Sequence, residues 1–326
     1  MGQRRKGINY AKYGYIFSIP FVLAFLAFML YPLGYTAIIG FTDLQGAGVT
    51  NFKVLDNPFE NFVTVVQSQL FQTSLYNTFR IWIVNFVPQI LLALLLTAWF
   101  TRHRNKIKGQ GAFKVLFYMP NIITAGSVAI LFSALFMFPT GPVNYLLQSL
   151  GVIDEPFQFM NSRTSAQNIV SFIQFWMWYG FTMLILISGV LGLNPEMYEV
   201  SEIDGANGIQ QFFYITLPNL RTIILYVLVT STVGGISMFD IPRLFHTTTG
   251  GPDQATYTLS LFIWSQAFAG RRMYNRAAAA SMLVFLIIVI LSVIMFRLMR
   301  DKDAAKLHKE EKALRKAANK AERGAD

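Results

Sequence analysis

Two apolar stretches of the sequence carry polar and aromatic side chains that could contact a dissolved molecule. Gln174 and Trp178 lie in the first stretch, and Ser237 and Asp240 lie in the second. An aromatic face can stack on a sugar ring while amides, hydroxyls and carboxylates bind its hydroxyl groups, although a peptide or an amino acid would suit the same chemistry. Each residue alone is better explained by packing between helices. Together they favour the polar lining of a translocation path.

The composition limits the class of protein that can hold these residues. Hydrophobic residues make up 54% of the 326 residues and charged residues only 13%, which is about half the charged share of a soluble domain. The mean hydropathy is +0.43. Cysteine is absent, and His103, His246 and His308 are too scattered for a metal site. The composition predicts an integral membrane protein. Because no nucleophile–base pair is visible in the sequence, we also predict that the chain is not an enzyme and holds no cofactor.

Uncharged stretches long enough to cross a bilayer recur along the chain. A membrane-spanning helix needs about 20 apolar residues. The longest stretch, 115–153, is interrupted by the segment 138–142, which contains two prolines and a glycine, and therefore holds one span. The sequence predicts an all-α polytopic membrane protein with six transmembrane helices, near residues 13–40, 75–101, 114–138, 168–190, 219–240 and 277–298.

The distribution of basic residues predicts the orientation of these spans. Lys and Arg are concentrated in the N-terminal segment 1–12, in the connection between the second and third predicted spans, and in the charged tail 299–326. Because cytoplasmic segments carry the excess of Lys and Arg, we expect both termini in the cytoplasm. The cluster of Arg271, Arg272 and Arg276 departs from this rule. The net charge of +10 is explained by topology and contact with anionic lipid, and no nucleic-acid motif is present.

The connection 191–218, between the fourth and fifth spans, has a distinct local chemistry. It contains four acidic residues and no basic residue. Asn194 and Asn207 are suited to cap two short helices, and Gly205 permits a sharp turn between them. The second helix is expected to have an apolar face of Ile209, Phe212, Phe213 and Thr216. Because lipid-surface helices are usually basic, this acidic loop favours contact with a protein partner.

This loop resembles the "EAA" loop of bacterial binding-protein-dependent ABC importer permeases. The resemblance rests on Glu199, Asp204, Gly205, Ala206, Phe212, Leu217 and Pro218, although Val200 and Ser201 replace the two alanines that name the loop. Thr249–Leu259 is similar to the segment before the last span of carbohydrate permeases, and Asn77 and Thr78 match the start of their second span. The resemblance covers roughly residues 10–298 and is to the maltose, lactose and multiple-sugar subfamily.

The resemblance implies an ABC type I importer permease fold over residues 13–298, in the bacterial plasma membrane. It implies a second, homologous permease and two cytoplasmic ATPases that bind ATP and Mg²⁺. An extracytoplasmic solute-binding protein would deliver the sugar. The seven loop residues would couple this chain to an ATPase. The chain itself has no phosphate-binding loop, so ATP must be hydrolysed elsewhere.

The substrate residues implied by the resemblance are at or beside positions that line the sugar cavity of maltose-type relatives. They are Asn121, Gln174, Trp178, Ser237 and Asp240. Two alternatives remain open at this point. One is an ABC importer for a non-sugar solute, and the other is an ion-driven secondary transporter. The second alternative would need more ionisable residues deep in the spans and a second half within the chain.

Overall fold

The structure is a computed structural model that describes residues 11–49, 51–102, 108–246 and 249–299. Apart from an isolated antiparallel bridge between Thr42 and Val54, the regular structure of these residues is helical. The predicted all-α class is confirmed. The predicted segment 1–12 and tail 299–326 lie almost entirely outside the described residues. The chain forms two compact units, one of 1–72 with 262–285 and the other of 73–261 with 286–326.

The helices follow one another along the chain with short connections. In order they are α1 (Ala11–Phe25), α2 (Tyr31–Ile39), α3 (Glu60–Gln67), α4 (Gln69–Phe100), α5 (Gln110–Ile122), α6 (Ala125–Leu135), α7 (Pro142–Ser149), α8 (Arg163–Leu191), α9 (Glu196–Ile203), α10 (Gly208–Gln211), α11 (Leu217–Asn219), α12 (Arg221–Ile236), α13 (Asp240–His246), α14 (Leu259–Phe268) and α15 (Tyr274–Met299). Single π-helical turns occupy Leu26–Leu30 and Phe212–Thr216, and 3₁₀ turns occupy Phe159–Asn161 and Pro252–Gln254.

Five helical stretches of the described chain are long and apolar enough to cross a membrane. They are Lys12–Ile39, Gln69–Phe100, Arg163–Leu191, Arg221–His246 and Tyr274–Met299. The sixth predicted span, 114–138, is not a straight helix, because α5 and α6 meet at an angle of 89°. The structure therefore contains six spans if this bent pair counts as one. The stretch Arg221–His246 corresponds to the fifth predicted span and extends beyond the predicted end of that span at residue 240.

The bend between α5 and α6 has a local cause. Pro120 lies in the last turn of α5 and has no N–H to donate to the preceding turn. Thr124 adopts an extended conformation, and its hydroxyl accepts a hydrogen bond of 3.3 Å from the backbone N–H of Ser127, which caps α6. The chain thus ends one helix and starts another within two residues.

Both π-helical turns lie immediately before a proline. In each case the residue before the proline donates its N–H five residues back, from Tyr31 to Leu26 and from Leu217 to Phe212. Pro32 and Pro218 cannot make the ordinary helical hydrogen bond. One wider turn keeps the preceding backbone bonded and lets the helix continue past the proline.

In the unit 73–261 with 286–326, α8 is the central helix and packs on α4, α5 and α12. Gly180 allows α5 to approach α8 closely, because a Cβ at this position would overlap the carbonyl oxygen of Phe117. Asn121 joins the same two helices, since its Nδ2 donates to the carbonyl oxygen of Met177 at 3.2 Å. These contacts fix the orientation of α8, and with it the position of the candidate residues Gln174 and Trp178.

In this unit the motif Asn77–Thr78, at the start of the second span, contacts the motif Thr249–Leu259, which precedes the last span. Asn77 Nδ2 donates to the carbonyl oxygens of Gln254, at 2.7 Å, and Tyr257, at 3.2 Å. The hydroxyl of Thr78 accepts the backbone N–H of Leu259 at 2.9 Å. Gln167 donates to Asn77 Oδ1 at 2.9 Å. The segment before the last span is therefore anchored to α4 and α8 by buried amide and hydroxyl groups.

In the unit 1–72 with 262–285, two buried asparagines connect distant parts of the chain. Asn61 Nδ2 donates to the carbonyl oxygens of Gly40, at 2.9 Å, and Thr42, at 2.8 Å, and Asn61 Oδ1 accepts from Asn275 Nδ2 at 3.0 Å. The backbone N–H of Asn275 also donates to Leu44. An asparagine at the start of the last span therefore has a structural role in this unit.

Candidate functional site

A cavity of about 340 Å³ lies between α4, α8 and the α12–α13 stretch. Four of the five predicted substrate residues line it, namely Gln174, Trp178, Ser237 and Asp240. The fifth, Asn121, does not line it, because its amide is used in the α5–α8 contact. The structure thus brings together side chains that are up to 66 positions apart in the sequence, from Gln174 to Asp240.

A helix break places Ser237 and Asp240 in the wall of the cavity. The helix α12 ends at Ile236, just after two glycines that have low helix propensity, and α13 begins at Asp240. The hydroxyl of Thr258 donates to the carbonyl oxygen of Met238, at 3.0 Å, and so satisfies a backbone group that the break frees. An interrupted helix in a membrane protein is tolerated where it lines a cavity or is supported by protein in this way.

The α8 side of the cavity combines an aromatic face with an amide. The indole of Trp178 is 44% exposed and meets Phe181 edge to face, with ring centres 5.9 Å apart. Gln174 lies one turn earlier in α8 and is half-buried, and its side-chain amide makes no hydrogen bond to another described residue. The amide can therefore donate to and accept from a molecule in the cavity while the indole covers an apolar surface.

The α4 side contributes three residues that the sequence-based site omitted, Trp82, Asn85 and Gln89. Gln89 Nε2 donates to the hydroxyl of Thr182 at 2.7 Å, which ties α4 to α8. The signal in the sequence was the spacing, because 82, 85 and 89 lie on one face of a helix. Polar residues at this spacing inside an apolar span are expected to face protein or a cavity.

Trp82 occupies a fixed position because of a glycine on the facing helix. A Cβ at Gly235 would overlap Cδ1 of Trp82, so the indole lies directly on the α12 backbone. The indole N–H donates to Ser231 at 3.4 Å, and the ring stacks on Phe86 with ring centres 5.9 Å apart. These contacts set the shape of the α4 wall.

The connection 191–218 forms two short helices joined at Gly205, as the sequence predicts. Gly205 has a φ of +82°, which favours glycine. Its N–H donates to Glu202, at 3.1 Å, and the N–H of Ala206 donates to Ser201, at 2.9 Å. This pair of hydrogen bonds is the Schellman motif that ends a helix. Asn207 then starts α10 with a capping box, its side chain accepting from the backbone of Gln210 at 3.0 Å.

Side-chain hydrogen bonds hold the two halves of this loop together. The hydroxyl groups of Tyr198 and Thr216 lie 2.9 Å apart, and Gln211 Nε2 donates to the hydroxyl of Ser201 at 3.0 Å. Ser201 stands where relatives of the resembled family have alanine, and here its hydroxyl is part of the link. The loop is therefore braced, which means that side-chain hydrogen bonds fix its two halves relative to each other.

The surface of this loop differs in part from the prediction. Of the expected apolar face, Thr216 is buried and Phe212 is partly buried, whereas Ile209 and Phe213 are exposed. The π-helical turn Phe212–Thr216 interrupts the helical period on which the prediction relied. The seven predicted coupling residues also differ from one another in exposure. Glu199, Asp204, Gly205 and Pro218 are exposed, and Ala206, Phe212 and Leu217 are partly buried.

Three large side chains on this loop are strongly exposed, and of these the sequence singled out only Ile209. Ile203 is 85% exposed, Tyr214 is 80% exposed and Ile209 is 71% exposed. Exposed acidic groups, among them Glu199 and Asp204, lie on the same segment. A mixed acidic and apolar surface on a braced loop is suited to contact with another protein.

Comparison with known proteins places this geometry in a family. Residues 13–302 match the family of binding-protein-dependent transport system inner membrane components. The chain belongs to this family. The multi-pass membrane location that the sequence predicts is confirmed, and as a membrane component of a transport system the chain is not itself an enzyme. The match favours an importer permease over an ion-driven secondary transporter.

Individual relatives agree with this assignment over most of the chain. The lactose transport system permease protein LacF of Rhizobium radiobacter is 27% identical over 289 residues, covering 89% of this chain and 94% of LacF. The arabinooligosaccharides transport system permease protein AraP of Bacillus subtilis is 29% identical and covers 87% of each chain.

A solved structure shows the same fold. One chain of a bacterial ABC transporter involved in the import of the acidic polysaccharide alginate superposes with a TM-score of 0.71, at 21% identity, over 90% of this chain and 96% of that one. The importer-permease fold expected from the sequence is thus confirmed.

Proposed function

We propose that this chain is the permease subunit of an ATP-driven importer and that a sugar or an oligosaccharide passes through the cavity between α4, α8 and α12. The observation that carries this proposal is the shared cavity lining of Trp178, Gln174, Ser237 and Asp240. The exposed indole can cover the C–H face of a sugar ring, while the amide, hydroxyl and carboxylate bind hydroxyl groups. LacF and AraP, which the chain resembles along most of its length, are named for sugar transport.

The chain supplies one half of the translocation path in this proposal. A second, homologous permease completes the path, two cytoplasmic ATPases bind ATP and Mg²⁺, and an extracytoplasmic binding protein delivers the sugar. Closure of the ATPases would move the loop 191–218, and the helices would rock about the central cavity to give alternating access.

We further propose that the loop 191–218 is the surface on which an ATPase docks. The exposed side chains of Ile203, Ile209 and Tyr214 would enter an apolar groove. Glu199 and Asp204 would receive charge-assisted hydrogen bonds from the ATPase. The bonds between Tyr198 and Thr216 and between Gln211 and Ser201 support this role, because a braced loop can transmit motion without bending.

Uptake measurements test the cavity. The complete transporter is reconstituted in proteoliposomes, and uptake of radiolabelled neutral oligosaccharides is measured with ATP enclosed. We expect Trp178→Ala to lower uptake by about tenfold or more, because one stacking surface is lost. The matched control is Trp99→Ala, since Trp99 is similarly exposed on α4 but does not line the cavity. Equal uptake by both variants, or uptake that does not need ATP, would contradict the proposal.

Labelling from either side of the membrane tests the orientation. The chain has no cysteine, so Ile203→Cys introduces a single thiol into it, at a position that is 85% exposed. The chain is expressed without its ATPases, which would otherwise cover this position, and we expect a membrane-impermeant maleimide to label the thiol in inside-out vesicles and not in intact spheroplasts. Labelling in spheroplasts would place the loop outside and would refute its role as the ATPase contact.

A further inference from the structure

The cavity contains a single ionisable side chain. All its lining residues are described, and Asp240 is the only acidic or basic residue among them. The neighbouring basic residues along the chain do not line it. Arg80 donates to Asn168 Oδ1 at 3.3 Å, and the guanidinium of Arg243 lies 5.2 Å from the ring centre of Phe239. The part of the wall that this chain supplies therefore contains one acidic side chain and no basic one.

Several hydrogen-bond donors in the wall are already used within the protein. Asn85 donates to the backbone of its own helix, Gln89 donates to Thr182, and Trp82 donates to Ser231. The side chains of Gln174 and Ser237 make no hydrogen bond to another described residue, although the backbone N–H of Ser237 donates to Val233 at 3.0 Å. The hydroxyls of Thr182 and Ser231 accept the bonds from Gln89 and Trp82 and donate to no other described residue. The groups that remain for a bound molecule are thus the Gln174 amide, three hydroxyl hydrogens and the carboxylate of Asp240, which only accepts hydrogen bonds.

These groups discriminate between neutral and acidic molecules. A sugar hydroxyl can donate to the Asp240 carboxylate and can accept from the Gln174 amide, so a neutral sugar satisfies both. A carboxylate, sulfate or phosphate gains no hydrogen bond from the Asp240 carboxylate and is repelled by its charge. Removing such an anion from water without a cation to pair with is costly.

We propose that this cavity selects uncharged sugars and excludes sugars that carry carboxylate, sulfate or phosphate groups, with Asp240 as a specificity-determining residue. The inference rests on the proposed function and adds the substrate class. It also separates this chain from the transporter that it resembles in fold, which is involved in the import of an acidic polysaccharide.

The test is a binding titration on the complete transporter in detergent, without its solute-binding protein. Tryptophan fluorescence reports occupancy of the cavity, since Trp178 lies in its wall. The probes are neutral lactose, arabinotriose and maltotriose, and acidic trigalacturonate and trimannuronate. We expect the best neutral sugar to bind at least about tenfold more tightly than either acidic sugar, which is a free-energy difference of about 1.4 kcal/mol.

Variants that remove a single negative charge test whether Asp240 causes the preference for neutral over acidic sugars. Asp240→Asn is expected to reduce the neutral-to-acidic affinity ratio by about fivefold or more, because the repulsive carboxylate is removed while an amide of similar shape remains. The matched control is Asp253→Asn, which makes the same charge change at an exposed position outside the cavity and should leave the ratio unchanged.

The outcomes separate this inference from the proposed function. Acidic sugar binding within about threefold of the best neutral sugar, or an unchanged ratio in Asp240→Asn, would refute the selection of uncharged sugars while leaving the sugar permease intact. If no sugar of either kind binds and an amino acid or another non-sugar solute changes the fluorescence, the proposed function fails and this inference fails with it.

Discussion

The indole of Trp82 lies directly on the backbone of Gly235, in the space that the Cβ of any other residue would take. A residue of α4 thereby approaches α12 just before the helix break that exposes Ser237 and Asp240. Trp82 is also stacked on Phe86, so the ring cannot move aside without losing that contact. This relationship fixes one wall of the cavity relative to the other.

We predict that Gly235→Ala impairs transport by displacing Trp82. The added methyl group must push the indole or separate the helices, at a cost of about 1–3 kcal/mol, and it changes the wall that the substrate meets. The expected result is a KM for sugar uptake raised by about fivefold or more. The control is Gly111→Ala, in α5, because a Cβ there has no neighbour within 4 Å and Gly111 does not line the cavity. Similar kinetics for the two variants would show that the Trp82 contact is unimportant.

We predict that Gly180→Ala destabilises the protein. Its Cβ would overlap the carbonyl oxygen of Phe117, which belongs to the backbone of α5 and cannot rotate away. The loss is expected to be about 2 kcal/mol or more, measured by thermal unfolding of the purified protein in detergent. Gly126→Ala, in α6, is the control, because its Cβ would enter open space. A Tm for Gly180→Ala that matches the control would contradict the close approach of α5 and α8.

We predict that substitution of Gly205 uncouples ATP hydrolysis from transport in the assembled complex. The φ of +82° is unfavourable for a β-branched residue, so Gly205→Val should distort the turn between the two loop helices. Stimulation of ATPase activity by the binding protein with its sugar should then be lost. Gly205→Asn should retain much of the stimulation, since asparagine tolerates this conformation. Loss in both variants would indicate that side-chain volume, and not backbone conformation, matters here.

We predict that the anchor at Asn77 is needed for stability. Asn77→Ala would leave the carbonyl oxygens of Gln254 and Tyr257 without their amide donor in a buried region. We expect a loss of about 2 kcal/mol or more in thermal unfolding. Asn219→Ala is the comparison, because the exposed Asn219 amide donates only to its own helix. An equal effect of the two substitutions would argue against the anchor.

The sequence predicts the spans and the loop because their signals are local. Apolar length alone gives the positions of the membrane helices, and Gly205 and Asn207 determine the turn and the cap through their own conformations and side chains. The bend at Ile123–Thr124 was missed because neither residue breaks a helix by itself. It arises when Pro120 and the Thr124 cap act together.

Only part of the cavity lining was predicted from the sequence, because contacts between distant helices determine the rest. Gln174, Trp178, Ser237 and Asp240 stood out as polar or aromatic groups in apolar segments, whereas the role of Trp82 depends on a glycine 153 positions away. Asn121 looked equally polar, but its amide is used by the carbonyl of Met177. Contacts between distant helices, which no local pattern encodes, decide which polar residue faces the cavity.

Protection of a single thiol in the cavity wall tests the central claim most directly. Since the chain lacks cysteine, Ser237→Cys places one thiol of this chain beside Gln174, Trp178 and Asp240. Alkylation of this thiol in the complete transporter by a water-soluble maleimide is followed with and without a neutral sugar, and Ser149→Cys, on the exposed end of α7, is the control. We predict that sugar at about ten times its Kd slows alkylation at position 237 by about tenfold and leaves position 149 unaffected. Alkylation at position 237 that is independent of a transported sugar would contradict passage of the sugar through this cavity.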